Sequence, residues 1–142
     1  MSRDGFQAWV DGRIAERYRP VDMKVAMDPA SKEIEGREGG RLFGIYCSGC
    51  HGADGKATGS VDARDLTDLE SWERGTKRSD IFRTLDSGIP GTRMPSFRHL
   101  MVLDRFAVIH HVASLATKPH PADTPEDLAK LVKEFALDRQ RT

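Results

Sequence analysis

Cysteine is scarce in this chain, with two residues in 142. That number excludes a zinc site built of four thiolates. Net charge is lacking as well, because 22 Lys and Arg balance 22 Asp and Glu. Nucleic-acid binding needs a basic face to neutralise phosphates, so the balance argues against it. It also removes strong global steering of a charged partner. No apolar run is long enough to span a bilayer. The start, Met1-Ser2-Arg3-Asp4-Gly5, lacks the apolar stretch of an export signal. Repeats and low-complexity segments are absent. Apolar residues are few, at 38%, and mean hydropathy is −0.53. The length suits one domain with extensions, but its apolar core is thin.

Both cysteines fall in one pentapeptide, Cys47-Ser48-Gly49-Cys50-His51. It fits C-x-x-C-H, the attachment site of a c-type haem. Two thiols at this spacing add across the two vinyl groups of one porphyrin. The histidine that follows lies under the iron and offers a ring nitrogen as proximal ligand. A Cys47–Cys50 redox disulfide is the alternative. It leaves His51 unexplained, and no thioredoxin-like strand–helix alternation surrounds the pair. A haem also answers the thin core, since the porphyrin supplies apolar surface to pack against. Without it, a poorly folded chain is expected.

The context resembles class I c-type cytochromes from about Gly36 to Ala116. Gly39-Gly40-Arg41-Leu42-Phe43 is similar to that family's N-terminal helix, and residues 50 to 56 to its loop after the haem histidine. Asp65-Leu66-Thr67 is similar to a P-x-L-T segment, with Asp65 near the usual proline. Gly91-Thr92-Arg93-Met94-Pro95-Ser96-Phe97 is similar to its distal Met loop, and Asp104 to Ala116 to its last helix. The resemblance implies an all-α fold, a small helical cytochrome c wrapped around one covalent haem c. It also implies export, because such haem attachment in bacteria takes place outside the cytoplasmic membrane. The location expected is the periplasm or the outer face of that membrane, and the sequence is then expected to be a mature fragment.

Met94 is the expected distal ligand, by the family's His/Met pattern. Its thioether favours ferrous iron and raises the reduction potential relative to two histidines. Methionine is usually core filler, and that is the reading for Met101. A second histidine is the rival, from His99, His110, His111 or His120. His111 stands where the family often has an aromatic residue packed on the first helix, so it reads as a packing residue, with His110 partly exposed. His51 is expected to donate its other ring N–H to a backbone carbonyl, sought between Lys56 and Gly59. Trp72 and Arg93 are candidate partners for haem propionates.

Three parts are expected: an N-terminal extension over 1–35, the haem domain over 36–116 and a C-terminal helical extension over 117–142. Phe6, Trp9, Val10, Ile14 and Tyr18 recur at helical spacing, and this stripe is expected to pack back on its own domain or on a partner subunit. Helices are predicted over 37–46, over 79–85 with Ser79 as N-cap, and from Asp104 as N-cap. Thr124-Pro125-Glu126-Asp127 opens a last one, with Leu128, Leu131, Val132 and Phe135 on its apolar face. Arg74 to Arg78, with Arg83, is a locally basic run: a solvated face, or a dock for an acidic patch on a partner.

Function follows from an iron with both axial positions filled. It has no site for substrate, so the chain is read as an electron-transfer protein rather than an enzyme. It acts as a carrier, or as the cytochrome subunit or domain of a larger oxidoreductase complex with redox partner proteins. The alternative is a haem enzyme or a gas or redox sensor with a labile or bis-His distal ligand.

Overall fold

The computed structural model describes residues 2–17, 20–59 and 62–139, with the side chains of 11–17 outside the description. Among them no strand occurs. The helices are α1 (Arg3–Arg17), α2 (Met23–Ala26), α3 (Lys32–Gly36), α4 (Gly39–Tyr46), α5 (Ser48–His51), α6 (Arg78–Ser87), α7 (Val102–Leu115) and α8 (Pro125–Phe135), with single 3-10 turns at Leu69–Ser71 and Leu137–Arg139. The fold is all-α.

The sequence of α7, VLDRFAVIHHVASL, is apolar on more than one face, and the helix is buried nearly all round. Phe106 and Ile109 have no exposed surface. Helices α2, α3, α4 and α6 all pack on it. Gly39 permits the α4 crossing, because a Cβ there would collide with the Ala107 carbonyl. The α7 N-terminus differs from expectation. The helix begins at Val102 with Met101 as N-cap, and Asp104 instead pairs with Arg37 at 3.1 Å.

Helix α6 likewise starts before its predicted cap. Lys77 is the N-cap residue, and its backbone N–H donates to the Asp80 carboxylate at 3.1 Å. The Ser79 hydroxyl is turned to the Asp123 carboxylate instead, which ties α6 to the segment before α8. Thr124 does cap α8: its hydroxyl accepts from Asp127 N at 3.1 Å, and Asp127 accepts from Thr124 N at 2.9 Å. Leu131 is fully buried and Phe135 meets the Phe82 ring edge-on, so α8 lies on α6. Val21 N–H donates to the Leu137 carbonyl at 3.0 Å, joining the two flanks of the chain.

Burial divides into two groups. The larger unites Val21, Ala26 and Ile34 with α6, α7, Leu131 and Leu137. The smaller holds Leu42, Phe43, Leu66, Val108 and Val112. Trp72 packs against both. In α1, Phe6 and Trp9 stack on each other at 6.1 Å, and both are more than half exposed. Tyr18 and the side chain of Ile14 lie outside the description. The basic run is partly paired within the molecule. Lys77 pairs with Asp127 at 2.6 Å, Arg83 with Glu134 at 2.7 Å, and Arg78 donates to His110 at 3.2 Å.

Candidate haem site

The pentapeptide forms the end of α4 and the single turn α5. Cys47 is the hinge between them, and both thiols are free and half-buried. Burial, reinforced by the neighbouring Cys50, pushes the Cys47 thiol up to about 11. A thiol held protonated there suits neither thiolate exchange nor a metal thiolate. Among the described residues no cluster of three His, Cys, Asp or Glu side chains is placed to hold a metal ion.

His51 closes α5, with its Nδ1 2.9 Å from the Arg64 carbonyl oxygen. A carbonyl only accepts, so Nδ1 carries the hydrogen and the lone pair lies on Nε2. The partner lies beyond the expected stretch, Lys56 to Gly59. That stretch is engaged elsewhere: Ala57 N donates to the His51 carbonyl at 2.6 Å and Thr58 N to that of Cys50. The chain then returns, Leu66 N donating to Gly55 O at 2.7 Å, which brings Arg64 under the ring. Gly55 has φ of +81°, and a Cβ there would touch Leu115 Cδ1 at 3.0 Å, so the close return needs glycine. Asp65 stiffens it, accepting from Thr67 N at 2.9 Å and from Thr67 Oγ1 at 2.6 Å. Those two bonds hold its carboxyl below the usual range.

Met94 lies in a loop braced from several sides. Ile89 N donates to the Met94 carbonyl at 3.1 Å, Phe97 N to Leu85 O at 2.6 Å and Ser96 Oγ to Asp86 O at 2.5 Å. Met94 N donates to Thr92 Oγ1 at 3.2 Å. Gly88 makes the approach possible. With φ +64° and ψ −166° it occupies a region open essentially to glycine alone, and its missing Cβ would meet Met94 O at 2.7 Å. The Met94 side chain is half-buried against the larger core group.

The remaining histidines are distributed around the helices. His110 is buried rather than partly exposed. Its Nε2 lies 2.8 Å from Ala26 O, and its Nδ1 accepts from Arg78. His111 packs on Phe43 with centroids 5.0 Å apart, on the face that crosses α4. His99 is exposed beside Tyr46 and Phe97. His120 is buried, Nδ1 2.6 Å from Thr76 O, its ring edge-on to Trp72.

Trp72 brings its indole between the group containing Cys47 and the group containing Met94. Its Nε1–H is buried without a partner. A buried N–H aimed at no acceptor costs free energy unless a ligand accepts from it. Arg93, by contrast, is exposed beside Met94. Two thiols, one anchored imidazole and an orphaned indole N–H form a donor set that fits a c-type haem. Among the described residues no helix is long and apolar enough to cross a membrane.

Residues 35–112, more than half of the chain, match the family model described as cytochrome c oxidase, cbb3-type, subunit III. A solved structure of the Kuenenia stuttgartiensis reducing HAO-like protein complex is similar at 25% identity, with a TM-score of 0.51. The match covers 61% of this chain and 47% of that one, so this chain spans about half the length of the chain it resembles. The chain belongs to the cytochrome c oxidase, cbb3-type, subunit III family of c-type cytochrome domains, and it is an electron-transfer protein working through a c-type haem.

Proposed function

We propose that Cys47 and Cys50 carry one covalent haem with His51 Nε2 and Met94 Sδ as axial ligands, in a haem unit spanning residues 36–116. The observation that carries this reading is the bond between His51 Nδ1 and the Arg64 carbonyl. It leaves Nε2 as the lone-pair nitrogen and fixes the orientation of the ring. The bracing of Met94 through Gly88, Ser96 and Phe97 supports the second ligand. Bound haem supplies a one-electron ferric/ferrous couple. His51, held by the Arg64 carbonyl, and Met94, braced by its loop, would keep their donor atoms in place toward the iron. Trp72 donates to a propionate, and Arg93 stands at the exposed rim beside the distal loop.

This arrangement serves outside the cytoplasmic membrane, where the haem is attached. There the chain passes electrons as a carrier or as the cytochrome subunit or domain of a larger redox complex. The matched family is described as an oxidase subunit, and the similar chain comes from a protein complex; both favour the second role.

Absorption spectra of the wild type and Met94→Ala, oxidised and dithionite-reduced, test the ligation. A long-wavelength sulfur-to-iron charge-transfer band is expected in the ferric wild type and not in the variant. Its absence from wild type would move the distal ligand to histidine or water. Prompt cyanide or carbon monoxide binding by native protein would instead favour the enzyme or sensor reading. Constitutive co-elution with another protein on size exclusion separates a subunit from a free carrier.

A further inference from the structure

The ring beside Trp72 has an unsatisfied atom of its own. His120 belongs to the segment after α7, beyond the residues that match the family model. It is 8% exposed. Its Nδ1 faces the Thr76 carbonyl at 2.6 Å and therefore carries a hydrogen. Its Nε2 is buried with no partner, as is the Trp72 indole N–H. The two rings meet edge to face, 5.4 Å between centroids and 74° between planes. The two orphaned polar atoms thus belong to rings in contact, and one hydrogen-bonding group beside the pair would answer both. The charged groups on the flanking chain are paired elsewhere: Lys118 with Glu70 at 3.0 Å, Lys77 with Asp127, and Asp123 with Ser79.

We infer that His120 and Trp72 together hold one carboxyl group of the haem, with a single proton between that carboxyl and His120 Nε2. A carboxyl oxygen accepts from the indole N–H. The same group, as carboxylate to a protonated Nε2 or as acid to a neutral one, satisfies the imidazole. His120 is a positioning residue in this arrangement. It also offsets negative charge near the iron, which disfavours the ferric state and keeps the reduction potential up. The inference rests on the haem reading above.

Paired variants of the haem-loaded protein separate this role from packing. His120→Asn keeps an N–H where Nδ1 meets Thr76 and removes the group at Nε2. His120→Gln keeps a donor at the Nε2 position. The measurements are reduction potential by spectroelectrochemistry, propionate bending modes by resonance Raman, and melting temperature. His120→Asn and Trp72→Phe are each expected to lower the potential and shift a propionate mode, while His120→Gln stays close to wild type. A potential and Raman spectrum unchanged in folded His120→Asn would overturn the inference and leave the haem reading intact. Equal shifts in Asn and Gln would overturn it too, since the Nε2 position would then not matter. Absence of covalent haem from denatured wild type would overturn both.

Discussion

At the scale of single residues, Gly88 shows how one missing Cβ sets the Met94 loop. Its φ of +64° and the 2.7 Å that a Cβ would have to Met94 O leave no room for alanine. Gly88→Ala is therefore expected to push residues 94–96 outward at a cost of roughly 1–3 kcal/mol. The ferric charge-transfer band should weaken as it does in Met94→Ala, which the same spectrum checks. His110 gives a pH dependence. Burial is the main cause that lowers its affinity for protons, with the Ala26 carbonyl opposing. The unfolded imidazole, near pKa 6.5, then binds protons that the folded one refuses. Stability is full above that value and declines as pH falls below it, by at most about 1.4 kcal/mol per pH unit for this one group. Burial of His111 adds in the same sense. Thermal melts between pH 7.5 and 5 should show the decline, and His110→Gln should flatten it. The C-x-x-C-H pattern was legible in the pentapeptide, and the proposed Met94 ligand rests on its loop context. The Arg64 carbonyl was not legible, because a backbone oxygen leaves no mark in the sequence and its position depends on how Gly55 turns the chain. Nor does adjacency tell which of His110 and His111 faces inward; the α7 crossing decides that.

At the scale of elements, capping rules worked where tertiary partners did not displace the cap. Thr124 and Asp127 close on each other and α8 starts as read. Ser79 and Asp104 had the right chemistry for caps, but Asp123 and Arg37 engage them across the fold. For Ser79 a charge-assisted tertiary bond outweighs a neutral local one, and for Asp104 the Arg37 guanidinium supplies a charged partner. The basic run between 74 and 83 was ambiguous for the same reason. Its counter-charges sit in α8, about fifty residues on, where composition could not pair them. The α4–α7 crossing depends on Gly39. Gly39→Ala should cost about 1–3 kcal/mol through overpacking against the Ala107 carbonyl, despite alanine's better helix propensity. Denaturant unfolding reads this as a lower midpoint with an unchanged slope.

At the scale of the whole molecule, the two groups of buried side chains share Trp72. Ile45 and Tyr46, on the turn before Cys47, are 59% and 41% exposed. With a hydrophilic chain overall, protein contacts alone make a modest core. The Cys47→Ala/Cys50→Ala double variant, which cannot hold haem by thioethers, is expected to lose near-UV circular dichroism and melt at lower temperature and over a broader range than the haem-loaded protein. Calorimetry of the two forms checks this. The all-α class was legible from helical periodicity and motif order. How the flanks attach was not, because the Val21–Leu137 backbone bond and the burial of both side chains in one core group depend on the whole fold.

That meeting has a mechanical side. Tension applied to the two flanks of the chain loads the Val21–Leu137 bond before it loads anything between residues 47 and 94. That bond is backed by the burial of Val21 and Leu137 in one core group, and behind it the Lys77–Asp127 and Arg83–Glu134 pairs hold α8 to α6. The outer segments thus act as a strain relief for the centre. A pull transmitted from a neighbouring protein would be spent in those segments before it disturbed His51 or Met94.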